Sequence, residues 1–140
     1  MDRKGFLTED TKITIEAPTV TGTTTINSAA YDMAGYDGIV FLVRLGSPAA
    51  NNNIRAQQDV ASGGAFADLA GTLVNSATLN PHMIDLKRPG KRFVRCQVTR
   101  GTTTTIDAIV AIQYRARTHP VTQPATAIFE QWHSPLEGTA

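Results

Sequence analysis

The sequence predicts an all-β fold, a β-sandwich or closed barrel with about seven or eight strands. Three observations carry this expectation. Apolar residues recur with a period of two along most of the chain. Turn-forming clusters rich in Gly, Pro and Asn break that pattern at short intervals. Helix is expected only as single turns, near Phe66 to Leu69 and near Ser28 to Met33.

Taken in order, Ile13 and Ile15 alternate with Lys12, Thr14 and Glu16. Val20, Thr24 and Ile26 alternate with Thr21, Thr23 and Thr25. From Ile39 to Leu45 both faces are apolar until Arg44, as a central strand covered on both sides requires. Ile54, Ala56, Gln58 and Val60 oppose Arg55, Gln57 and Asp59. Ile84 and Leu86 alternate with Met83, Asp85 and Lys87, and His82 falls on the Ile84 side. Val94, Cys96 and Val98 alternate with Phe93, Arg95, Gln97 and Thr99.

The longest run, Thr103 to Arg117, puts Ile106, Ala108, Val110, Ile112 and Tyr114 on one face, with Asp107, Gln113 and Arg115 on the other. Its threonines and other β-branched residues disfavour a helix. Between these runs lie turn signals such as Ala34-Gly35-Tyr36-Asp37-Gly38, Ser62-Gly63-Gly64, Asn80-Pro81, Arg88-Pro89-Gly90 and Arg100-Gly101.

Both ends differ from this pattern. Residues 1–11 are polar and aperiodic, and are expected to form an amino-terminal arm; residues 12–117 form the sandwich domain. Residues 118–140 read as an extended carboxy-terminal arm, because Pro120, Pro124 and Pro135 cannot donate to an interior ladder. This arm holds Ile128, Phe129 and the single tryptophan, Trp132. Large apolar groups on an irregular segment need a docking surface, on the same subunit or on a neighbour.

A chain of 140 residues suits one domain. With 13 basic and 12 acidic residues it has no global attraction for nucleic acid or an anionic membrane. The lone Cys96 excludes an internal disulfide and a cysteine metal cluster. The start lacks an apolar signal region, and the longest apolar run, Ile39 to Val43, is far too short to span a bilayer. Synthesis in a reducing cytoplasm is the expectation, with release inside a particle still open.

Chemistry-bearing motifs are missing. His82, His119 and His133 belong to no HExxH or GxSxG pattern, and Gly22, Gly63-Gly64 and Gly101 make no phosphate loop. Cys96 lies on an apolar face, where an inert thiol is expected. No catalytic residue, metal or cofactor is therefore assigned, and an enzyme is the least favoured class.

One charge feature stands out. Lys87, Arg88, Lys91, Arg92, Arg95 and Arg100 fall within fourteen positions, and Arg115 and Arg117 join them if the last strand lies alongside. A solvated hairpin end is the default reading. The sharper reading is a surface for an acidic protein partner, since Phe93 alone interleaves where base stacking would need several aromatics. Candidate partner-contact residues are Lys87, Arg88, Lys91, Arg92, Arg95, Phe129 and Trp132.

Several segments, taken together, suggest a family. They are Asp32-Met33-Ala34-Gly35-Tyr36-Asp37-Gly38, Ala56-Gln57-Gln58, Asp68-Leu69-Ala70-Gly71-Thr72 and Arg88-Pro89-Gly90-Lys91-Arg92-Phe93-Val94-Arg95. Ile109-Val110-Ala111-Ile112-Gln113-Tyr114 and the end from Ser134 complete the set. The chain resembles small virion proteins encoded in tailed-phage and prophage structural regions. Such proteins resemble jelly-roll decoration, or cement, proteins of capsids. The resemblance implies a jelly-roll-like sandwich, a place on the capsid surface, the major capsid protein as partner and self-association as a homotrimer. A head–tail adaptor, a neck or fibre-associated component, and a carbohydrate-binding sandwich are the alternatives.

Overall fold

The computed structural model describes residues 5–75, 78, 80–134 and 136–139. Residues 1–4 of the expected amino-terminal arm, and Pro135 and Ala140 of the carboxy-terminal arm, lie outside the described residues. One short helix, α1 (Leu7–Asp10), precedes the strands. The first strands are β1 (Lys12–Glu16), β2 (Thr19–Gly22), β3 (Ile26–Asn27), β4 (Tyr31–Asp32) and β5 (Gly38–Leu45). There follow β6 (Asn52–Asp59), β7 (Ala67–Asp68), β8 (Val74–Asn75), β9 (His82–Lys87), β10 (Phe93–Arg100) and β11 (Thr104–Tyr114).

The pairing is nested. β1 and β2 pair with β11, β3 and β4 with β10, β5 with β9, and β6 with β7 and β8, all antiparallel. The first half of the chain thus meets the second half in reverse order, like a long hairpin folded over on itself. Two further pairings, β5 with β11 and β6 with β10, join these hairpins into two sheets. The sheet orders are β1/β2–β11–β5–β9 and β3/β4–β10–β6–β7/β8. Eight strand positions in two packed sheets, with the chain alternating between them, make a jelly-roll sandwich, as the fold class predicted.

Inward-facing residues of both sheets build one core. Ile39, Phe41, Val43 and Leu45 of β5 and Ile106, Ile109 and Ala111 of β11 face Ile54 and Ala56 of β6 and Val94, Cys96 and Val98 of β10. The Cys96 face is as expected, and β5 is central in its sheet, but only its inward face is buried, with Val40 and Leu42 half-buried on the other.

Other expectations need correction. A β-bulge between Ile106 and Ala108 shifts the register of β11 against β5. Beyond it the inward face is Ile109, Ala111 and Gln113, opposite to the strict alternation. Gln113 is nonetheless satisfied, because its Nε2 donates to the Asp32 carbonyl at 2.8 Å. Val60, expected to be inward, is exposed just beyond the end of β6.

Neither expected helical turn forms. Residues 28–33 carry β4, and residues 66–69 carry β7, both at sheet edges. Each of these edge strands is broken, and a hydroxyl bridges the break. Ser28 N donates to the Cys96 carbonyl, and Cys96 N donates to Ser28 Oγ, both at 2.8 Å. On the opposite edge, Ala56 N donates to Thr72 Oγ1 at 3.1 Å and Leu69 N to the Ala56 carbonyl at 3.0 Å. Cys96 and Ala56 are direct cross-strand partners, so both breaks sit at one level of the sheet. α1 was not foreseen, because four residues are too few to show a period.

Arg100 continues the inward series of Val94, Cys96 and Val98 and is only 4% exposed. Its Nε donates to the Thr24 carbonyl at 2.8 Å. Its Nη1 donates to the carbonyls of Val20 at 2.7 Å and Thr104 at 2.9 Å. One guanidinium therefore binds the β2–β3 connection to β11 at the mouth of the sandwich. A Cβ on Gly22 would come within 3.3 Å of this group. Arg100→Ala is expected to destabilise the fold by about 3 kcal/mol, because it leaves three carbonyls without their charged donor. Arg100→Lys is expected to lose most of the same amount, since an ammonium cannot reproduce the fork. Urea-denaturation midpoints of the two variants measure both.

Candidate interaction surface

The residues that sequence reading weighed for catalysis occupy structural positions. Cys96 is completely buried, and burial pushes its thiol up to about 12. His82 is 2% exposed at the start of β9, and neither ring nitrogen has a hydrogen-bond partner among the described residues. His119 pairs with Asp10 at 2.8 Å, and the His133 ring lies 4.8 Å from that of Phe6. Among the described residues no group of His, Cys, Asp and Glu is placed to hold a metal ion. No helix of the structure is long and apolar enough to cross a membrane.

The seven candidate contact residues divide among three places. At one end of the sandwich, β5 begins, β9 and β11 end, and β10 begins. There Arg88, Lys91 and Arg92 line an open cleft of about 440 Å³ together with Arg117, Met33, Tyr36, Asp37 and Pro89. Lys87, paired with Gly38, lies at the same end. The last strand does not lie alongside β9 or β10, since β5 separates it from β9, but its end still brings Arg115 to the same carboxylate as Arg88.

Asp37 organises this end. Its carboxylate lies 3.7 Å from Arg88 Nε and 3.6 Å from Arg115 Nη1. Its carbonyl accepts from Arg88 N at 2.8 Å, and its own N donates to Tyr114 O at 3.0 Å. Arg88 and Arg115 both adopt φ of 53°, in the left-handed region. Such a conformation is uncommon for a side chain with a Cβ, and here it occurs at two arginines that share one carboxylate. It turns the chain sharply as β9 and β11 end, and the two guanidinium groups converge.

Arg92 is held differently. Its Nε and Nη2 grip the Asp32 carboxylate at 2.9 and 2.8 Å, and this fork holds the Asp32 carboxyl below its ordinary range. Lys91 and Arg117 have no hydrogen bond or ion pair from their side chains among the described residues. On the outer face nearby, Tyr114 reaches across β5 and donates to Asp85 at 2.7 Å. Gly38 makes room for this, since a Cβ there would lie 2.3 Å from the Tyr114 ring. Burial and the Asp85 carboxylate push the Tyr114 hydroxyl up to about 12.

Arg95 stands apart, on the outer face of the other sheet. Its Nε donates to Gln57 at 2.8 Å, and its guanidinium lies 4.3 Å from the Phe66 ring centre.

Phe129 and Trp132 lie on the arm, Phe129 beside the free edge of β1 and Trp132 further along, with its Nε1 donating to Glu130. The arm docks on its own subunit. Ile13 N donates to Gln123 Oε1 at 3.0 Å, and Gln123 Nε2 donates to the carbonyls of Thr11 at 2.6 Å and Thr8 at 2.8 Å. Val121 N donates to the Glu9 carbonyl at 2.9 Å, and Gln131 Nε2 to Thr8 Oγ1 at 2.6 Å. Between arm and strand runs a groove of about 290 Å³, lined by Ile13, Ile15, Pro124, Ile128 and Phe129. Ile15 and Ile128 remain exposed there and Phe129 is half exposed, while Trp132 is exposed further along the arm. Comparison with family models, with curated proteins and with solved structures finds no match.

Two outcomes follow from the buried groups. Burial holds the His82 imidazole below its ordinary pKa of about 6.5. Its neutral form therefore supports the fold fully above that value, and this contribution is lost as pH falls towards the folded pKa. Thermal midpoints should decline below about pH 6.5. His82→Leu should remove part of the decline and stabilise the neutral-pH protein by about 1 kcal/mol, because no unpaired ring nitrogens remain buried. Cys96 should react with thiol reagents only after unfolding, as measured by mass spectrometry of native and denatured protein.

Proposed function

We propose that this chain is a structural virion protein, a decoration protein that attaches to the outside of a phage capsid and stabilises the shell as a homotrimer. The observation that carries an assembly role is the apolar strip along β1. There Ile15 of β1 and Ile128 of the arm are exposed and Phe129 is half exposed, with Trp132 exposed further along an arm clamped to the sandwich by Gln123 and Gln131. A clamped arm presents aromatic anchors with little further loss of conformational freedom on binding. The capsid part of the reading rests on the resemblance of the Asp32–Gly38, Arg88–Arg95 and Ile109–Tyr114 segments to small phage virion proteins.

In this reading the strip meets the major capsid protein at the junction of neighbouring shell subunits. Binding to the assembled shell and not to its dissociated subunits shifts the equilibrium towards the shell by mass action. Three linked copies multiply a weak contact into a durable one.

The test is cosedimentation of the purified chain with empty, expanded capsids of the phage or prophage that encodes it. The parent chain should attach and raise the temperature at which the shells disrupt. Phe129→Ser with Trp132→Ser should weaken attachment by about tenfold or more while changing the thermal midpoint of the free chain only slightly, because Trp132 is largely solvated and Phe129 half exposed. A parent chain that neither attaches nor protects the shell would overturn the proposal.

A further inference from the structure

We infer that the basic cleft at the β5–β9–β11 end receives the distal segment of the arm, around Leu136 and Glu137, from a second copy of the chain. The inference deepens the self-association in the proposed function and rests on that part of it alone. It starts from charge placement. The arm from Thr118 onward carries Glu130 and Glu137 and no lysine or arginine, so the last basic residue of the chain is Arg117, in the cleft itself.

The arm is fixed to its own subunit as far as His133, through Gln123, Gln131 and the Phe6–His133 ring contact. Beyond that point the described residues are exposed and make no hydrogen bond or ion pair. Leu136 is 97% exposed. Glu130 is already engaged, since Trp132 Nε1 donates to it at 2.7 Å. Glu137 is therefore the free carboxylate, and it lies next to an apolar side chain with nothing to pack against.

The cleft offers the matching features. Lys91 and Arg117 are cations without a carboxylate, and Arg88 meets Asp37 only at 3.7 Å, beyond hydrogen-bonding range. Ala34 and the half-buried Tyr36 supply apolar surface beside them. A space of about 440 Å³ accommodates a short extended segment and not a folded surface. A leucine followed by a glutamate fits that chemistry, with the leucine on Ala34 and Tyr36 and the carboxylate between Lys91 and Arg117.

Cleft and tail are different surfaces, so the contact is heterologous. Repeated around an axis it closes into a ring, as a cyclic trimer requires. Because each contact is small, closure of the ring gives the assembly its persistence.

Sedimentation velocity of the full chain at low and high salt, without capsids, tests the inference. The parent should self-associate, and more weakly at high salt. Glu137→Lys alone, and Lys91→Glu with Arg117→Glu, should each weaken association by about tenfold or more with unchanged far-ultraviolet circular dichroism. Combining all three changes in one chain should restore it, since the reversed tail then meets a reversed cleft. The inference is overturned by a parent chain that stays monomeric, by single-surface variants that associate like the parent, or by a combined variant no better than its components. Capsid attachment by the Glu137→Lys chain, measured separately, distinguishes this contact from the apolar strip: loss of self-association with retained attachment to shells leaves the capsid reading standing.

Discussion

Backbone polar groups at the sheet edges are the constraint on which the rest of this structure depends. A sandwich of two open sheets has edge strands with unpaired N–H and C=O groups, each an invitation to pair with another chain. Here side chains occupy those positions. The Gln123 amide takes the edge of β1, and the Ser28 and Thr72 hydroxyls bridge the breaks in the two edges of the second sheet. The Asn80 side chain pairs with both backbone groups of Leu45 where β9 has not yet begun. Glu16, at the end of β1, accepts from Ala29 N and from the Tyr31 hydroxyl, joining the edge of one sheet to the edge of the other. None of these groups extends the ladder as a new strand would.

The same solution accounts for the position of the arm. An irregular segment with prolines cannot become a fifth strand, but one glutamine can supply an acceptor and a donor at the spacing that the edge of β1 presents. Gln123 also reaches Thr8, so the segment containing α1 and the arm are held against the same edge. The Asp10–His119 pair and the Glu9–Val121 hydrogen bond reinforce that junction. The apolar strip is a consequence. Once Gln123 fixes the path of the arm, Ile128 and Phe129 come to lie beside Ile13 and Ile15.

Legibility in the sequence followed burial contrast. Where one face was apolar and the other polar, as in β9 and β10, alternation identified the inward residues. In β11 both faces are apolar around Ile109, Val110, Ala111 and Ile112, so nothing in the pattern marked the bulge at Asp107 that exchanges them. The edge strands β3, β4, β7 and β8 are two residues each, too short for any period, and local Ser, Asp and Gly signals read there as turns. Arg100 was visible in principle. It continues the spacing of Val94, Cys96 and Val98, but its charge grouped it with Lys91 and Arg92 as surface. The candidate contact residues were legible as types and not as a constellation, because whether Arg95 joins Arg92 or faces away depends on the pleat. Likewise Asp37, which gathers Arg88 and Arg115, is adjacent to neither in sequence.

The two surfaces differ in how their readiness is stored. At the apolar strip the ordering of the arm is completed on folding, and a partner need only cover side chains that are already in place. At the basic end, the order resides in the backbone. Arg88 and Arg115 adopt left-handed conformations that cost on the order of 1 kcal/mol or more each, beside backbone hydrogen bonds that the Asp37 carbonyl accepts from Arg88 N and that Asp37 N donates to the Tyr114 carbonyl. Glycine at either position would relieve the strain and remove a cation. Arginine at both, around a carboxylate too distant to use their donors fully, leaves two guanidinium groups under-bonded. Arg92, by contrast, has its fork filled by Asp32 and serves the turn more than any partner. A carboxylate entering the cleft would therefore meet Lys91 and Arg117, whose side chains have no partner among the described residues, and Arg88, which is paired with Asp37 only at 3.7 Å. Such exposed cations give a contact attraction over distance and register more than raw affinity.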